Sequence, residues 1–453
     1  MKFVPALSSL CLILLASFAV NVATAQYKAG SLSLSTASSK LANIEDPGKD
    51  TSKTFGTYTP GAGFTVADTK MGSMNLRIFS YIRYLNQKGL DPTYVNKFND
   101  TSEIKRRNDI QMNKVTINLQ GWLFEEKFRY LFYVWTNNTA QGQTTQVVVA
   151  GNLSYKFSEY FRLSGGIGSL PGTRSTEGNF PFWVVNDNRL IADEFFRPSY
   201  TTGIWIDGQL ATGLMYHGMI GNNLSQLGID AGQLDDDLST FALALKWYPT
   251  TGEFGRNSSY GDFENHQKVA TRLAAHFTGS NEDIQSQPNT DGFDNVQLRL
   301  SDGSVIFKPG LFGSGVNIKK AQYMMTNFDL GIKYKGFSFD AGYYYRWLNK
   351  FGGDNLDSLG FTELTDDGFL MLASYMISPK FFQLYGGDSK IFGSYGNPWG
   401  ARGGINIYPW KNEVVRVNLE YLYLDKSPVG GLSLPYSVGS TGSIVHLDFL
   451  VNF

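Results

Sequence analysis

The stretch Ser443-Ile444-Val445-His446-Leu447-Asp448-Phe449-Leu450-Val451-Asn452-Phe453 decides the fold. Val445, Leu447, Phe449, Val451 and Phe453 fall on one face of a strand, and Ile444, His446, Asp448, Leu450 and Asn452 on the other. An alternation of this kind, apolar without interruption on one side and finishing on an aromatic residue, is the pattern of the closing strand of a membrane β-barrel. A soluble protein can also end in an amphipathic strand, so the rest of the chain has to decide between the two.

The opposite end points to export. Lys2 supplies a short positive region, residues 3–20 are apolar, and Ala23-Thr24-Ala25 is a small-residue cleavage box. Residues 1–25 therefore read as a secretory signal peptide removed before Gln26, with an uncleaved anchor as the alternative. Cys11 is the only cysteine and lies in the apolar stretch with no lipobox before it, so the exported chain has no disulfide and no thiolate metal site. No later run approaches the ~18 apolar residues of a membrane-crossing helix. Yet 33 Phe, 25 Tyr and 8 Trp are spread along the chain with 49 glycines, which suits a barrel with one lipid face, one wet face and aromatic girdles at both interfaces. A secreted β-sandwich or lectin would also be rich in Tyr and Gly. The net charge of −1 says nothing about partners.

Residues 26–70 form a polar N-terminal segment, with 31–53 rich in Ser and Thr, and read as a weakly ordered periplasmic stretch. From Met71 to Phe453 strand patterns recur at hairpin spacing. Met74, Leu76 and Ile78 alternate with Asn75 and Arg77; Val115, Ile117 and Leu119 alternate with Thr116 and Asn118. Glu125-Glu126-Lys127 reads as a tight turn, and Asp302-Gly303 as the turn of an extra hairpin within an outer loop. The expectation is an all-β transmembrane antiparallel barrel of about 16 strands, range about 14–18, because 250–322 is hard to parse. Short connections such as Lys335-Gly336 alternate with long ones such as 87–109, 170–198 and 279–322. An even count places both termini on the short-turn side.

The connection 170–198 should carry the function. It holds Arg174, Arg189 and Arg197, the acids Glu177, Asp187, Asp193 and Glu194, and the rings of Phe180, Phe182, Trp183, Phe195 and Phe196. So many aromatics need a surface to pack on, and in a barrel the inner wall supplies one. The expectation is a third outer loop folded into the lumen, with Arg174, Arg189, Arg197, Asp187, Asp193 and Glu194 at a pore constriction. Packing between subunits, or capping from above, are the alternatives.

Several segments resemble the phosphate-selective porin O and P group. They are Gly63-Phe64-Thr65-Val66-Ala67-Asp68 with 76–87, Leu170-Pro171-Gly172-Thr173-Arg174-Ser175, and Phe195-Phe196-Arg197-Pro198-Ser199-Tyr200. The resemblance implies an outer-membrane homotrimer in a Gram-negative-type cell, with one diffusion channel per subunit, no cofactor, anion preference and a phosphate site of dense Arg and Lys. The chain departs from that pattern, since its third loop mixes three Arg with four acids and has no Lys. The final strand with Phe453 resembles the assembly signal read by the barrel-assembly machinery.

Side-chain parity gives a second view of ion preference. With the apolar face of each strand turned to lipid, the lumen wall receives Arg77, Arg83, Lys114, Arg129, Arg162, Lys246, Arg272, Lys333, Arg346, Arg402 and Arg416. Only Asp329, Asp340, Glu420 and Asp448 share that parity. A surplus of fixed positive charge would enrich anions in the lumen, unless loop acids pair with it.

Other functions find little support. The four histidines, His217, His266, His276 and His446, sit in no catalytic or metal motif, and neither a Gly-x-Ser-x-Gly elbow nor a phosphate loop is present. Asp235-Asp236-Asp237 lacks calcium-loop spacing, and no basic patch interleaved with aromatics suggests nucleic acid. Two classes remain: a passive porin in outer-membrane lipid, passing small hydrophilic and weakly preferring anionic solutes, and a plugged surface barrel serving adhesion or structure. An aqueous gap beside Arg174, Arg189 and Arg197 would distinguish the first from the second.

Overall fold

Alternating sequence becomes a closed sheet in the computed structural model, which describes residues 56–137, 145–178, 180–234, 237–288, 298–431 and 434–453. The leader reading for 1–25, the stretch 31–53 and Asp235-Asp236 lie outside the described residues. The strands are β1 (Thr57–Thr59), β2 (Gly63–Thr69), β3 (Gly72–Leu90), β4 (Thr93–Val95), β5 (Thr101–Glu103), β6 (Asn108–Leu123), β7 (Glu125–Asn137), β8 (Gln146–Lys156), β9 (Arg162–Ser169) and β10 (Tyr200–Ala211). They continue with β11 (Leu214–Gly221), β12 (Thr240–Trp247), β13 (Ala270–Asp283), β14 (Asn317–Tyr334), β15 (Phe337–Asp354), β16 (Glu363–Ser378), β17 (Phe382–Gly393), β18 (Trp399–Ile407), β19 (Val415–Asp425) and β20 (Gly442–Asn452).

β3 and β6 to β20 form the barrel, sixteen strands in sequential antiparallel order, closed where β20 pairs with β3. The closing register sets Asp448 opposite Arg83 and Leu450 opposite Tyr81, so the polar face read in 443–453 points inward. The other face is solvent-exposed and apolar, with Leu447 and Phe449 joined by Leu419, Tyr421, Leu243, Ile204 and Val149. A continuous apolar outer surface on a closed sheet is the arrangement that satisfies every backbone group inside hydrocarbon. Residues 57–69, at the end of the polar N-terminal segment, form the hairpin β1–β2. β2 pairs with the start of β3 just below the end of β20, and Phe64 meets Phe453 edge-on.

Three local readings change. Glu125-Glu126-Lys127 is not the turn: Phe124 alone makes it at φ 65°, and the three charged residues begin β7. β3, β13, β14 and β15 run well beyond their apolar alternation, to Leu90, to Asp283, from Asn317 and to Asp354. Outside the bilayer the ladder continues between water-facing strands, so hydrophobic period no longer marks its end. Arg299 and Val305 form only an isolated bridge around Asp302-Gly303. The Lys335-Gly336 turn is as read, with both residues at positive φ (48° and 83°), the geometry of a two-residue hairpin loop.

Candidate functional site: the loop 170–198 and the inner wall

The segment 170–198 lies inside the barrel, held by inward side chains from most of the wall. Its tip is fixed on one side by Arg83, which donates to Asn186 O (3.0 Å), and by Arg416 and Asn406, which donate to the carbonyls of Trp183 and Val184. Arg402 donates to Asn188 O and Arg189 O, both at 2.7 Å, and Asn188 donates to Glu420 (2.8 Å). Asp187 accepts from Tyr81 (3.0 Å) and pairs with Lys114 (2.6 Å). The start of the loop is tied by His276, facing Pro171 O at 2.9 Å.

The aromatics behave as their number requires. The short helix Ile191–Phe196 carries acids in its first turn and turns Ile191, Ala192, Phe195 and Phe196 to the wall, all buried. Phe196 stacks on Tyr344 at 5.3 Å, and the Arg346 guanidinium covers Phe195 at 4.2 Å. Phe180 packs edge-on against Phe79 of β3. The helix is part of a larger apolar core that sequence reasoning did not foresee. Leu300, Ile306 and Phe307 of one outer loop, Leu434 and Tyr436 of another, and Tyr94 and Ile104 of the first all join it, over Tyr323, Met325, Leu348, Leu422 and Ile444 of the wall. Alternation does not find it, because its loop members follow no period. Their concentration in segments too long for simple turns was the available signal.

The charges are mostly paired, which corrects the expected surplus. The pairs are Arg83–Asp448, Lys114–Asp187, Arg272–Asp329 and Arg272–Glu177, Arg346–Asp366, Arg402–Glu420, Arg162–Asp207 and Lys246–Glu177. Lys333 and Arg416 donate to backbone carbonyls, Arg77 to Asn452, and Arg129 to Glu126 O. Parity undercounted the acids by missing Asp207 and Asp366, and the loop supplies Glu177 and Asp187. Burial alone would raise the Glu177 carboxyl, but Arg272, Lys246 and His276 hold it at about 2. Burial pushes Asp193 above its ordinary value despite Arg189.

Of the six residues expected at a constriction, Arg174 is 2% exposed, and Asp187, Asp193 and Glu194 are buried. Arg197 binds Glu194 through two nitrogens. Arg189 is the more open one, donating to Ser175 Oγ and Glu194 and lying over Trp183 at 4.4 Å. Beside it is a cavity of about 30 Å³, lined among others by Ser175, Asn188, Asp193, Tyr260 and Arg402. Among the described residues no open gap lies beside Arg174 or Arg197, so this loop does not itself display the feature that would mark a channel.

Solvent reaches the wall elsewhere. The inward residues of β13 to β20 and of β3 from Phe79 to Gln87 are almost all buried under loops. Many of those of β7 to β11 are partly open, among them Arg129, Tyr133, Trp135, Asn152, Ser154, Lys156, Gly166, Trp205, Asp207 and Met215, with Arg162 exposed, whereas Asn137, Ala150, Ser164, Thr201 and Met219 are buried. Registers such as Arg129 opposite Ser154, Ser154 opposite Ser164, and Ser164 opposite Trp205 place these residues on one inner face. Small side chains at Ser154, Gly166, Gly168 and Gly203 keep that arc thin.

No family model and no curated protein matches the chain. Solved structures do. Outer-membrane expressed OmpT of Vibrio cholerae aligns at TM-score 0.52 and 10% identity, over 85% of this chain and 99% of that one. The anion-selective porin from Comamonas acidovorans aligns at 0.52 and 8%, over 84% and 100%. The outer membrane channel DcaP of Acinetobacter baumannii aligns at 0.51 and 9%, over 86% and 100%. At these identities the likeness is one of fold, and the fold is that of a closed sixteen-stranded outer-membrane barrel.

Proposed function

We propose that the chain is an outer-membrane porin for passive diffusion of small hydrophilic solutes, with its water path displaced to one side of the lumen. The observation that carries this is the contrast between the two halves of the inner wall: one sealed under the pinned loop 170–198, the other, β7 to β11, partly open to solvent. Arg129, Lys156 and Arg162 on that open arc outnumber Asp207, while Lys246 next to it on β12 is paired with Glu177. This supports a weak preference for anions by a local excess rather than a wall-wide one. Water fills such a path and screens the charges, so the preference is small. Its partners in this reading are lipid on the apolar outer face, small anionic or neutral solutes within, and further copies of the chain in the trimer that the porin resemblance implies.

The test is single-channel recording of the purified protein in a planar bilayer under a salt gradient. Discrete conductance steps with a modest anion-directed reversal potential are expected. The buried core of the outer loops favours a second reading, a plugged barrel presenting its loops at the cell surface. Silence from a folded, heat-modifiable barrel would select it.

A further inference from the structure

The connection 248–269, between β12 and β13, belongs to the rim whose other described connections are short, such as Phe124 and Lys335-Gly336. It does not stay at that rim. Phe254 is 1% exposed and its ring lies against the inner wall at β14, where a Cβ placed on Gly331 would come within 2.6 Å of it. Lys333 of the same strand donates to Phe254 O at 2.9 Å. The return leg is anchored to the β14–β15 turn: Gly336 N–H donates to Asp262 (2.8 Å), and Lys335 N–H donates to His266 O (2.7 Å).

This segment meets the loop that enters from the opposite rim, and one side chain makes most of the junction. Arg174 donates from Nε and Nη2 to Ser258 O (3.1 and 3.0 Å) and from Nη2 to Ser259 O (3.0 Å). Its guanidinium lies 4.2 Å from the Tyr260 ring centre and 5.2 Å from that of Phe254. Asp340 on β15 holds its Nη1. Arg256 adds a second contact over Phe182 at 4.0 Å. A planar donor fork held by a wall carboxylate and aimed at two consecutive carbonyls is a clasp rather than a hydrated pore charge.

We propose that 248–269 is a strap that closes the β14–β15 side of the lumen from the short-turn rim, and that Arg174 clasps it to the loop 170–198. The inference rests on the channel reading above: the strap keeps that side sealed while solutes pass along β7 to β11, and its release opens a second path beside them. The strap swings about its anchors at Asp262 and Lys335-Gly336 when the clasp is lost, and that side of the lumen opens.

Two variants of the full-length protein test this in single-channel recording. The first is Arg174→Met with Asp340→Asn, which removes the clasp without leaving a lone buried carboxylate. The second keeps Arg174 and replaces 255–261 by a short Gly-Ser link. Heat-modifiability on gels establishes that each folds. Both should raise conductance by about twofold or more, as when a second water path opens in parallel. Arg174→Lys, which keeps the charge and loses the fork, should lie between. If the wild type conducts and neither folded variant differs from it, the strap is overturned while the channel reading stands. A silent wild type with conducting variants supports the strap and overturns the constitutively open channel. Silence in all three overturns both.

Discussion

The pair Arg83–Asp448 offers a sharp test of which part of the inner wall is sealed. Arg83 is 1% exposed and donates from Nε and Nη2 to the two oxygens of Asp448 at 2.7 and 2.9 Å. Asp448, at 0% exposure, also accepts from Asn186 at 2.9 Å, and His446 lies 3.3 Å away. Asp448→Ala leaves the guanidinium buried without its carboxylate and removes one tie on the loop tip. Stranding one charge of a buried pair costs about 3–5 kcal/mol. Arg83→Met with Asp448→Leu removes both charges together and should recover most of that loss, giving a coupling of roughly 2 kcal/mol or more. The assay is reversible urea unfolding in lipid vesicles, followed by tryptophan fluorescence for the wild type, both single variants and the double variant. A loss below about 1 kcal/mol for Asp448→Ala, the range of exposed pairs, would mean that water reaches Arg83. The sealed half of the wall would then be part of the path.

Further consequences can be checked separately. Burial opposes charge on His266, yet its hydrogen bonds to Asp262 and Glu253 hold its pKa at about 9, with Lys333 a smaller opposing influence. The charged ring's stabilisation is therefore complete below the ordinary value of about 6.5 and is lost as pH rises through 9. The temperature of the heat-modifiable transition should fall between those limits, and His266→Gln should flatten the dependence. At Gly404 a Cβ would lie 2.4 Å from the Tyr385 hydroxyl, which donates to Glu420. Gly404→Val should destabilise the barrel by about 1–3 kcal/mol in the same urea assay, and an unchanged midpoint would contradict the packing. Arg162→Glu, placed beside Asp207 on the open arc, should move the reversal potential toward cations, whereas Arg346→Gln on the sealed side should leave it unchanged wherever the variant folds.

The barrel was legible because a two-residue period is a strong signal once lipid enforces one face. All sixteen strands, their order and the rim of each turn follow from residues such as Val445 to Phe453 and Phe328 to Tyr334. What alternation could not supply was anything set by contact between distant segments. Lys114 and Asp187 belong to different elements whose meeting has no local signature, and Asp366 shares parity with Arg346 but lies in a strand extension past the apolar run. Arg174 shows the limit most clearly. Its position in an inward loop was readable, but its role there, as a clasp rather than a pore charge, depends on a short-turn-rim connection climbing inside the barrel. The length of the connection 248–269, too great for a turn, is the one hint of that.

The central claim is that solutes pass along β7 to β11. The single cysteine of the chain is Cys11, so an introduced thiol is the only one beyond residue 25. Single-channel current of Ser154→Cys, recorded before and after a bulky charged thiol reagent, tests the claim directly. The account predicts a stepwise fall in current at Ser154→Cys and none at the buried Ser389→Cys. Block at position 389 with none at 154 would contradict it.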